Sequence, residues 1–175
     1  MRSVTVRVVM LALLLFFALA SVISLRIVNR LPDSIVYFVR DEGDYFRLEP
    51  AGRRSEEPTL ERSLYQAVQA LREGVTEAES ARGLHSAIPT TLTVYALHID
   101  DSVVHVDISN DFAQGGGTAM LQARLYQLLY TLSQPRDIDA VQLSIEGQPA
   151  TLLGGEGLLL DSPWRRHLEP SALRW

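Results

Sequence analysis

The chain has 175 residues, of which 47% are hydrophobic, and a net charge of −5 at pH 7. This length is typical of a single domain. The absence of cysteine excludes disulfides, thiolate nucleophiles, Cys-ligated zinc and a lipid-modified N-terminal cysteine. Residues 29–175 contain 13 Arg against 21 acidic residues, a net charge of −8, so we expect them to repel nucleic acid and anionic lipid.

The N-terminal region is predicted to be a membrane anchor. Residues 8–25, VVMLALLLFFALASVISL, form an uncharged run that as a helix would span about 27 Å, close to the thickness of a bilayer core. Arg2 and Arg7 favour a cytoplasmic N-terminus, although Arg26 and Arg30 weaken the charge asymmetry. We therefore assign residues 1–28 as a single-pass anchor in the cell membrane.

A cleaved signal peptide is the alternative interpretation. Ala18-Leu19-Ala20 resembles a cleavage site, and cleavage after Ala20 would release the chain as a secreted protein. The anchor is favoured because the apolar run reaches the spanning length. Both alternatives place the rest of the chain outside the cytoplasm.

The first elements follow a short spacer, residues 29–33. Residues 35–39, IVYFV, are β-branched and aromatic and predict a buried strand. Turn-forming residues 41–44 lead to a second strand at 45–48 and then to a polar loop at 50–58.

Two helices are predicted next. Thr59 is placed to cap a helix that ends at Gly74, and Thr76-Glu77-Ala78-Glu79 is a capping-box pattern that opens a short helix ending before Gly83. The apolar positions of the first helix follow the helical period: Leu60, Leu64, Ala67, Val68 and Leu71.

Residues 91–108 alternate with period two around Asp100-Asp101-Ser102, which predicts a β-hairpin. A two-residue turn at Asp101 and Ser102 sets the register. The predicted pairs of the apolar face are Ile99 with Val104, Leu97 with Val106 and Tyr95 with Ile108. The predicted pairs of the other face are His98 with His105 and Ala96 with Asp107.

The last predicted elements complete an α+β domain. A leucine-rich helix begins near Thr118 and ends before Pro135. A strand with alternating apolar residues then covers 141–145, and Gly147 forms a turn after it. A hairpin occupies 152–160. The helix presents Leu121, Leu125, Leu128, Leu129 and Leu132. We predict a two-layer sandwich of a mostly antiparallel sheet with helices on one face, at residues 34–166, followed by a tail at 167–175 that Trp164 pins.

The stretch VHVDISNDFAQGGG, residues 104–117, combines acidic side chains with three glycines. A calcium loop would need a different spacing of its Gly and Glu residues, and a phosphate cradle would need a nearby base and no acidic cluster. The pattern therefore favours a third interpretation, a turn in which the glycines let the chain pass from strand to helix.

Catalytic and metal sites are weakly supported. His98 and His105 could chelate a metal with Asp107 or Asp100 as a third ligand, but zinc sites usually show more ligands, so two surface histidines are the favoured interpretation. The residues of the His105, Asp107 and Ser109 set lie too far apart on one strand for a catalytic triad, and there is no GxSxG motif. We predict no catalytic residue, cofactor or metal.

Several segments together resemble the GerMN domain family of sporulation and spore-germination proteins. They are IVYFV, LYQAVQALREG, GLHSAIP, VHVDISNDF, RLYQLLYTLSQ, VQLSIEG and LLGGEGLLLDSPWRR, and they cover residues 35–166. The chain departs from the family in lacking a glycine at the hairpin turn and in carrying one copy rather than the tandem pair of GerM. The resemblance implies a non-catalytic α/β domain, similar in outline to ring-building modules of envelope complexes, in which Asp107, Ser109 and Phe112 match the family signature and serve the architecture.

The resemblance and the anchor together predict an extracytoplasmic interaction domain that binds an envelope protein or peptidoglycan, with a strand edge or helix face as the contact surface. Homo-oligomerisation is left open. The alternative is an envelope hydrolase or metal-dependent enzyme that uses His98, His105 and Asp107.

Overall fold

The computed structural model describes residues 34–43, 45–55, 57, 59–153, 158–160 and 163–166. The predicted anchor at residues 8–25 and the predicted tail at 167–175 lie outside these residues, so both stay predictions. Within the described ranges, every helix is too short or too polar to cross a bilayer.

The described residues form β-strands, three α-helices and one 3₁₀ helix. The strands are β1 Ser34–Asp41, β2 Phe46–Arg53, β3 Leu84–His85, β4 Val94–Asp100, β5 Val103–Ile108, β6 Ala140–Ile145, β7 Gln148–Pro149, β8 Leu152–Leu153 and β9 Leu158–Leu159. The α-helices are α1 Leu60–Glu73, α2 Glu77–Ser80 and α3 Thr118–Leu132, and the 3₁₀ helix η1 is Asn110–Ala113.

The predicted α+β class is confirmed, but the prediction of one mostly antiparallel sheet is wrong in the number of sheets. The described strands form three sheets, with the orders β2-β1-β3, β4-β5-β6-β7 and β8-β9. All strand pairs are antiparallel except β5 and β6, which are parallel. The reason is the connection between them: a crossover that contains α3 returns the chain to the start of the next strand, so that both strands run in the same direction.

The strand β1 is central to its sheet, and its four consecutive residues 36–39 are all buried. Its partner β2 is longer than the sequence predicts, because pairing continues to Ser34 opposite Arg53. The predicted polar loop at 50–58 therefore starts only after Arg53. Pro50 is compatible with β2 because β2 is an edge strand, where a missing N–H costs no ladder hydrogen bond.

Both early helices follow their predicted capping signals. The side-chain Oγ1 of Thr59 accepts a hydrogen bond from the backbone N–H of Arg62 at 3.3 Å, and Gly74 ends α1 with a φ of 92°. In α2, Thr76 and Glu79 form a reciprocal capping box. The buried residues of α1 are those of the predicted apolar face: Leu64, Ala67, Val68 and Leu71, with Leu60 partly buried.

The β4–β5 hairpin has the predicted turn and, over most of its length, the predicted register. Asp101 and Ser102 have φ values of 44° and 65°, as a type I′ turn requires. The pairs His98–His105 and Ala96–Asp107 are confirmed. The predicted pairing of Tyr95 with Ile108 is wrong, because a β-bulge places Val94 opposite Ile108.

The helix α3 supplies a large part of the core, and its five predicted leucines are all buried. The segment 163–166 is held beside β6, because Trp164 and Val141 exchange two backbone hydrogen bonds of 2.8 Å. The indole of Trp164 packs edge-on against Tyr130 of α3, with ring centroids 5.1 Å apart. These contacts close the core next to β6.

Candidate interaction surface

The three signature residues lie where β5 ends. Asp107 accepts the N–H of Gly147 through Oδ1 at 2.9 Å and so ties β5 to the turn after β6. Ser109 accepts the N–H of Thr93 through Oγ at 3.0 Å, and its own N–H donates to the carbonyl of Thr93 at 2.9 Å. Phe112 is fully buried in η1. The three side chains therefore contact different parts of the chain and do not converge on one point.

The three glycines then turn the chain into α3, which begins at Thr118 as predicted. Gly115, Gly116 and Gly117 have φ values of 69°, 90° and 36°, a region that L side chains rarely adopt. The helix has no side-chain cap at its N-terminus. The acidic and glycine-rich stretch is thus a strand-to-helix turn in its geometry.

Sequence reasoning missed a buried polar stripe on α3. Arg124, Gln127 and Thr131 recur at positions i, i+3 and i+7, so they share one face of a helix otherwise rich in leucine. All three are at least nine-tenths buried. That spacing is the signal that could have identified them, because polar residues repeating along an apolar helix indicate partners inside the core.

Arg124 holds the start of the strand-to-helix turn. Its Nε donates to the carbonyl of Ala87 at 2.9 Å, and its Nη1 donates to the carbonyls of Phe112 and Gln114. Desolvation by burial lowers the pKa of Arg124. The guanidinium therefore donates to two buried carbonyls and one part-buried carbonyl, and joins the loop after β3 to η1 and the residue that follows it.

The other two members of the stripe fix further segments. Gln127 accepts the N–H of Ala87 through Oε1 at 2.8 Å and donates through Nε2 to Ser86 Oγ at 3.1 Å. Ser86 in turn donates to the carbonyl of Leu71, and Thr131 accepts the N–H of Tyr37 in β1 at 3.0 Å. The segment GLHSAIP is thereby held between α1 and α3.

His98 and His105 meet on the outer face of the four-stranded sheet. Their rings are stacked, with centroids 4.8 Å apart and planes within 6° of each other. Within the described part of the chain, no three His, Cys, Asp or Glu side chains are grouped so that they could hold a metal ion. The structure therefore brings the two histidines together but does not add Asp107 or Asp100 to them as the enzyme hypothesis requires.

The bulge in β4 creates a polar aromatic surface at the other end of the hairpin. Tyr95 is 53% exposed, and its hydroxyl donates to Glu146 Oε1 at 3.2 Å. The same oxygen accepts the N–H of Asn110 at 2.9 Å. Loss of hydration, the hydrogen bond to Glu146 and the charges of Glu146, Asp111 and Asp107 raise the pKa of Tyr95. We call Tyr95, Asp107, Asp111 and Glu146 the Tyr95 patch.

The surroundings of the patch are acidic. Three of its four residues are acidic, and residues 83–123, which supply two of these acids, contain four Asp and no Arg or Lys. Negative charge without interspersed cations produces a field that attracts positively charged groups. The electrostatics of the patch therefore favour a basic contact partner.

The edges of the two larger sheets are less suitable for binding an added strand. Ile99 of edge strand β4 already donates its N–H to Glu61 of α1 at 2.8 Å, and Arg72 of α1 reaches the carbonyl of Leu92 at 3.3 Å. The helix α1 thus runs along the β4 edge, and a covering helix is one way in which proteins protect an edge. Pro50 interrupts the donors of the β2 edge. The Tyr95 patch is the stronger candidate surface.

The fold agrees with a comparison against protein families. A family model described as Germane, sporulation and spore germination, matches residues 35–151. The chain belongs to the Germane family. The predicted GerMN domain is therefore confirmed, and the matched residues of this Germane chain include the hairpin, the signature residues and α3.

Solved structures of Germane domains share the fold. The tandem GerMN domains of the sporulation protein GerM from Bacillus subtilis match with a TM-score of 0.57 and 17% identity over 71% of this chain, which spans 42% of the tandem protein. The first GerMN domain of the same protein matches with a TM-score of 0.59 and 20% identity, over 75% of this chain and 97% of that domain.

A protein from Clostridium perfringens that is described as a lipoprotein also has this fold. It matches with a TM-score of 0.51 and 21% identity, over 75% of this chain and 85% of that one. No curated protein matches the chain. At these identities the likeness extends to the fold, and the Germane family relates the domain to sporulation and spore germination.

Proposed function

We propose that the chain is a membrane-tethered, extracytoplasmic interaction domain, acting in sporulation or envelope assembly, that binds an envelope protein through the Tyr95 patch. The single observation that carries this proposal is the half-exposed Tyr95 ring among the three carboxylates of Asp107, Asp111 and Glu146. The family described as sporulation and spore germination supports the cellular setting.

The chemistry of the patch suits an arginine-rich partner. A guanidinium can stack on a tyrosine ring while it donates two parallel hydrogen bonds to a carboxylate such as Glu146. Tyrosine and arginine are also enriched among the residues that dominate interface energies. Because the attraction is electrostatic, binding should weaken as ionic strength rises.

The test is co-purification of the full chain, tagged at its C-terminus and expressed in its native host, from detergent-solubilised membranes. Tyr95→Ala and Glu146→Gln should each lose the partner protein that the wild type captures. Tyr65→Ala is the matched control, since Tyr65 is a similarly exposed tyrosine, 43% exposed, on α1. Capture that is equal in Tyr95→Ala and wild type, or capture of cell-wall material without a protein, would contradict the proposal.

The tether is tested separately. We propose that residues 8–25 remain in the membrane and that the domain is extracytoplasmic, as the apolar run and the N-terminal arginines favour. The intact mass, membrane fractionation after an alkaline wash and protease accessibility check this. A soluble chain that lacks its first 20 residues would instead support cleavage after Ala20.

A further inference from the structure

The stacked imidazoles of His98 and His105 have a geometry that the proposed function does not use. We propose that they form a two-imidazole binding site for a divalent transition-metal ion such as Zn²⁺, Ni²⁺ or Cu²⁺. Imidazole nitrogen is a ligand that these ions prefer, whereas Mg²⁺ and Ca²⁺ prefer oxygen. The inference does not rest on the proposed function, although Asp107 of the Tyr95 patch lies beside the pair.

The backbone already holds the two rings at chelating range. His98 and His105 are directly opposite each other in the β4–β5 ladder, and β5 is also paired with β6 on its other side. The ring centroids are 4.8 Å apart. Two nitrogens on one tetrahedral zinc ion lie about 3.4 Å apart, given Zn–N bonds of about 2.0–2.1 Å. Two imidazoles that converge on one ion through such bonds have ring centroids about 5 Å apart, so the two rings have to tilt towards a shared ion rather than approach each other.

The ring rotation that metal binding requires has a low energy cost. The rings are parallel, so their nitrogen lone pairs lie in parallel planes, and a turn about the Cβ–Cγ bond must make them converge. That torsion is broad in histidine, and the exposed His98 ring has its outer side towards solvent, so the ring has room to turn. Fixing both ligands on one ladder also gives the second imidazole a high effective concentration once the first has bound.

The surroundings of the pair favour a cation. Ala96, next to His98 on the same face, is small, and Asp100 and Asp107 flank the pair along the two strands. Their carboxylates add a negative field without entering the coordination sphere. With two protein ligands, the remaining coordination positions are left to water, which distinguishes this site from catalytic zinc sites with three protein ligands.

The experiment is titration of ZnCl₂ and of NiCl₂ into the full chain in detergent micelles, followed by calorimetry and by NMR of the histidine ring protons. We expect one ion per chain, joint shifts of the His98 and His105 signals, and at least a tenfold loss of affinity in His98→Asn and in His105→Asn. Because His98 is exposed, its substitution leaves the core intact, and circular dichroism verifies the fold of each variant.

His167→Asn is the control, because it removes a histidine from outside the described residues, and it should retain wild-type affinity. MgCl₂ should give no histidine shifts. The proposal is overturned if no saturable binding occurs, if His98→Asn binds as tightly as the wild type, or if the affinity is lost only in His167→Asn.

Discussion

Arg53 and Glu79 form a bidentate ion pair that joins the end of β2 to α2. Nη1 lies 2.7 Å from Oε1, and Nη2 lies 2.8 Å from Oε2. Glu79 Oε2 also accepts the N–H of Thr76, which completes the capping box. One buried carboxylate therefore fixes both the start of α2 and its position against the sheet.

This ion pair predicts acid sensitivity. The hydrogen bond from Arg53 lowers the pKa of Glu79 from 4.5 to about 2. The Glu79 carboxylate is therefore protonated at a lower pH in the folded state than in the unfolded state. The stability that Glu79 contributes should be complete above pH 4.5 and lost progressively as the pH falls towards 2. Urea unfolding at a series of pH values measures the slope of the unfolding free energy against pH.

Glu79→Gln should lose about 2 kcal/mol of unfolding free energy at neutral pH and flatten the slope below pH 4.5. Arg53→Gln should have a similar effect, since it removes the other half of the pair. An unchanged slope in Glu79→Gln would show that other carboxyl groups control the acid response.

Arg124→Leu should destabilise the domain by about 3 kcal/mol. The substitution leaves the buried carbonyls of Ala87 and Phe112 without their arginine donor, and buried groups that lose a donor cost more than the net value of their hydrogen bonds. Arg62→Leu is the control, because that arginine side chain is 70% exposed and should change the stability by less than about 0.5 kcal/mol. Equal urea midpoints for the two variants would disprove the role assigned to Arg124.

Ser102→Gly should stabilise the β4–β5 hairpin by about 0.5–1 kcal/mol. Ser102 has a φ of 65° in the type I′ turn, a conformation that glycine adopts without a Cβ penalty. Ser144→Gly in β6 is the control and should destabilise, since glycine weakens a strand interior. Thermal unfolding of the three proteins measures the order, and a lower melting temperature for Ser102→Gly would refute the turn assignment.

Gly116→Ala should cost more stability than Gly115→Ala, by about 1 kcal/mol. Both glycines have positive φ, so both substitutions strain the backbone. A Cβ at Gly116 would also lie 2.7 Å from Cγ of Met120, whereas one at Gly115 would meet nothing within 4 Å. The difference between their urea midpoints isolates the contact with Met120, and no difference would argue against it.

Local patterns predicted the parts of the fold that short-range physics controls. Thr59 and Gly74 bound α1 because capping and glycine termination depend only on nearby backbone groups. The pairing of His98 with His105 followed from a two-residue turn and alternating faces. The bulge at Tyr95 could not be derived in this way, since no single residue of the alternating run marks it.

Long-range features required the structure. The parallel pairing of β5 and β6 depends on where α3 returns the chain, although the order strand, helix, strand is compatible with it. The buried role of Arg124 was missed because arginine is usually exposed, and its partners come from segments 10 to 37 residues away. The Tyr95 patch likewise combines β4 with the turn after β6, 51 residues later.

The polar stripe of α3 has a consequence for how uniquely the core is arranged. Leucines on a helix can accommodate a small rotation or a shift along the axis, because dispersion contacts have no direction. Arg124, Gln127 and Thr131 meet fixed backbone groups of three separate segments, and any such shift would break several directional bonds at once. The stripe therefore restricts the helix to one position and orientation in the core. Replacing it with apolar residues would leave a core in which several arrangements of the helix have nearly equal energy.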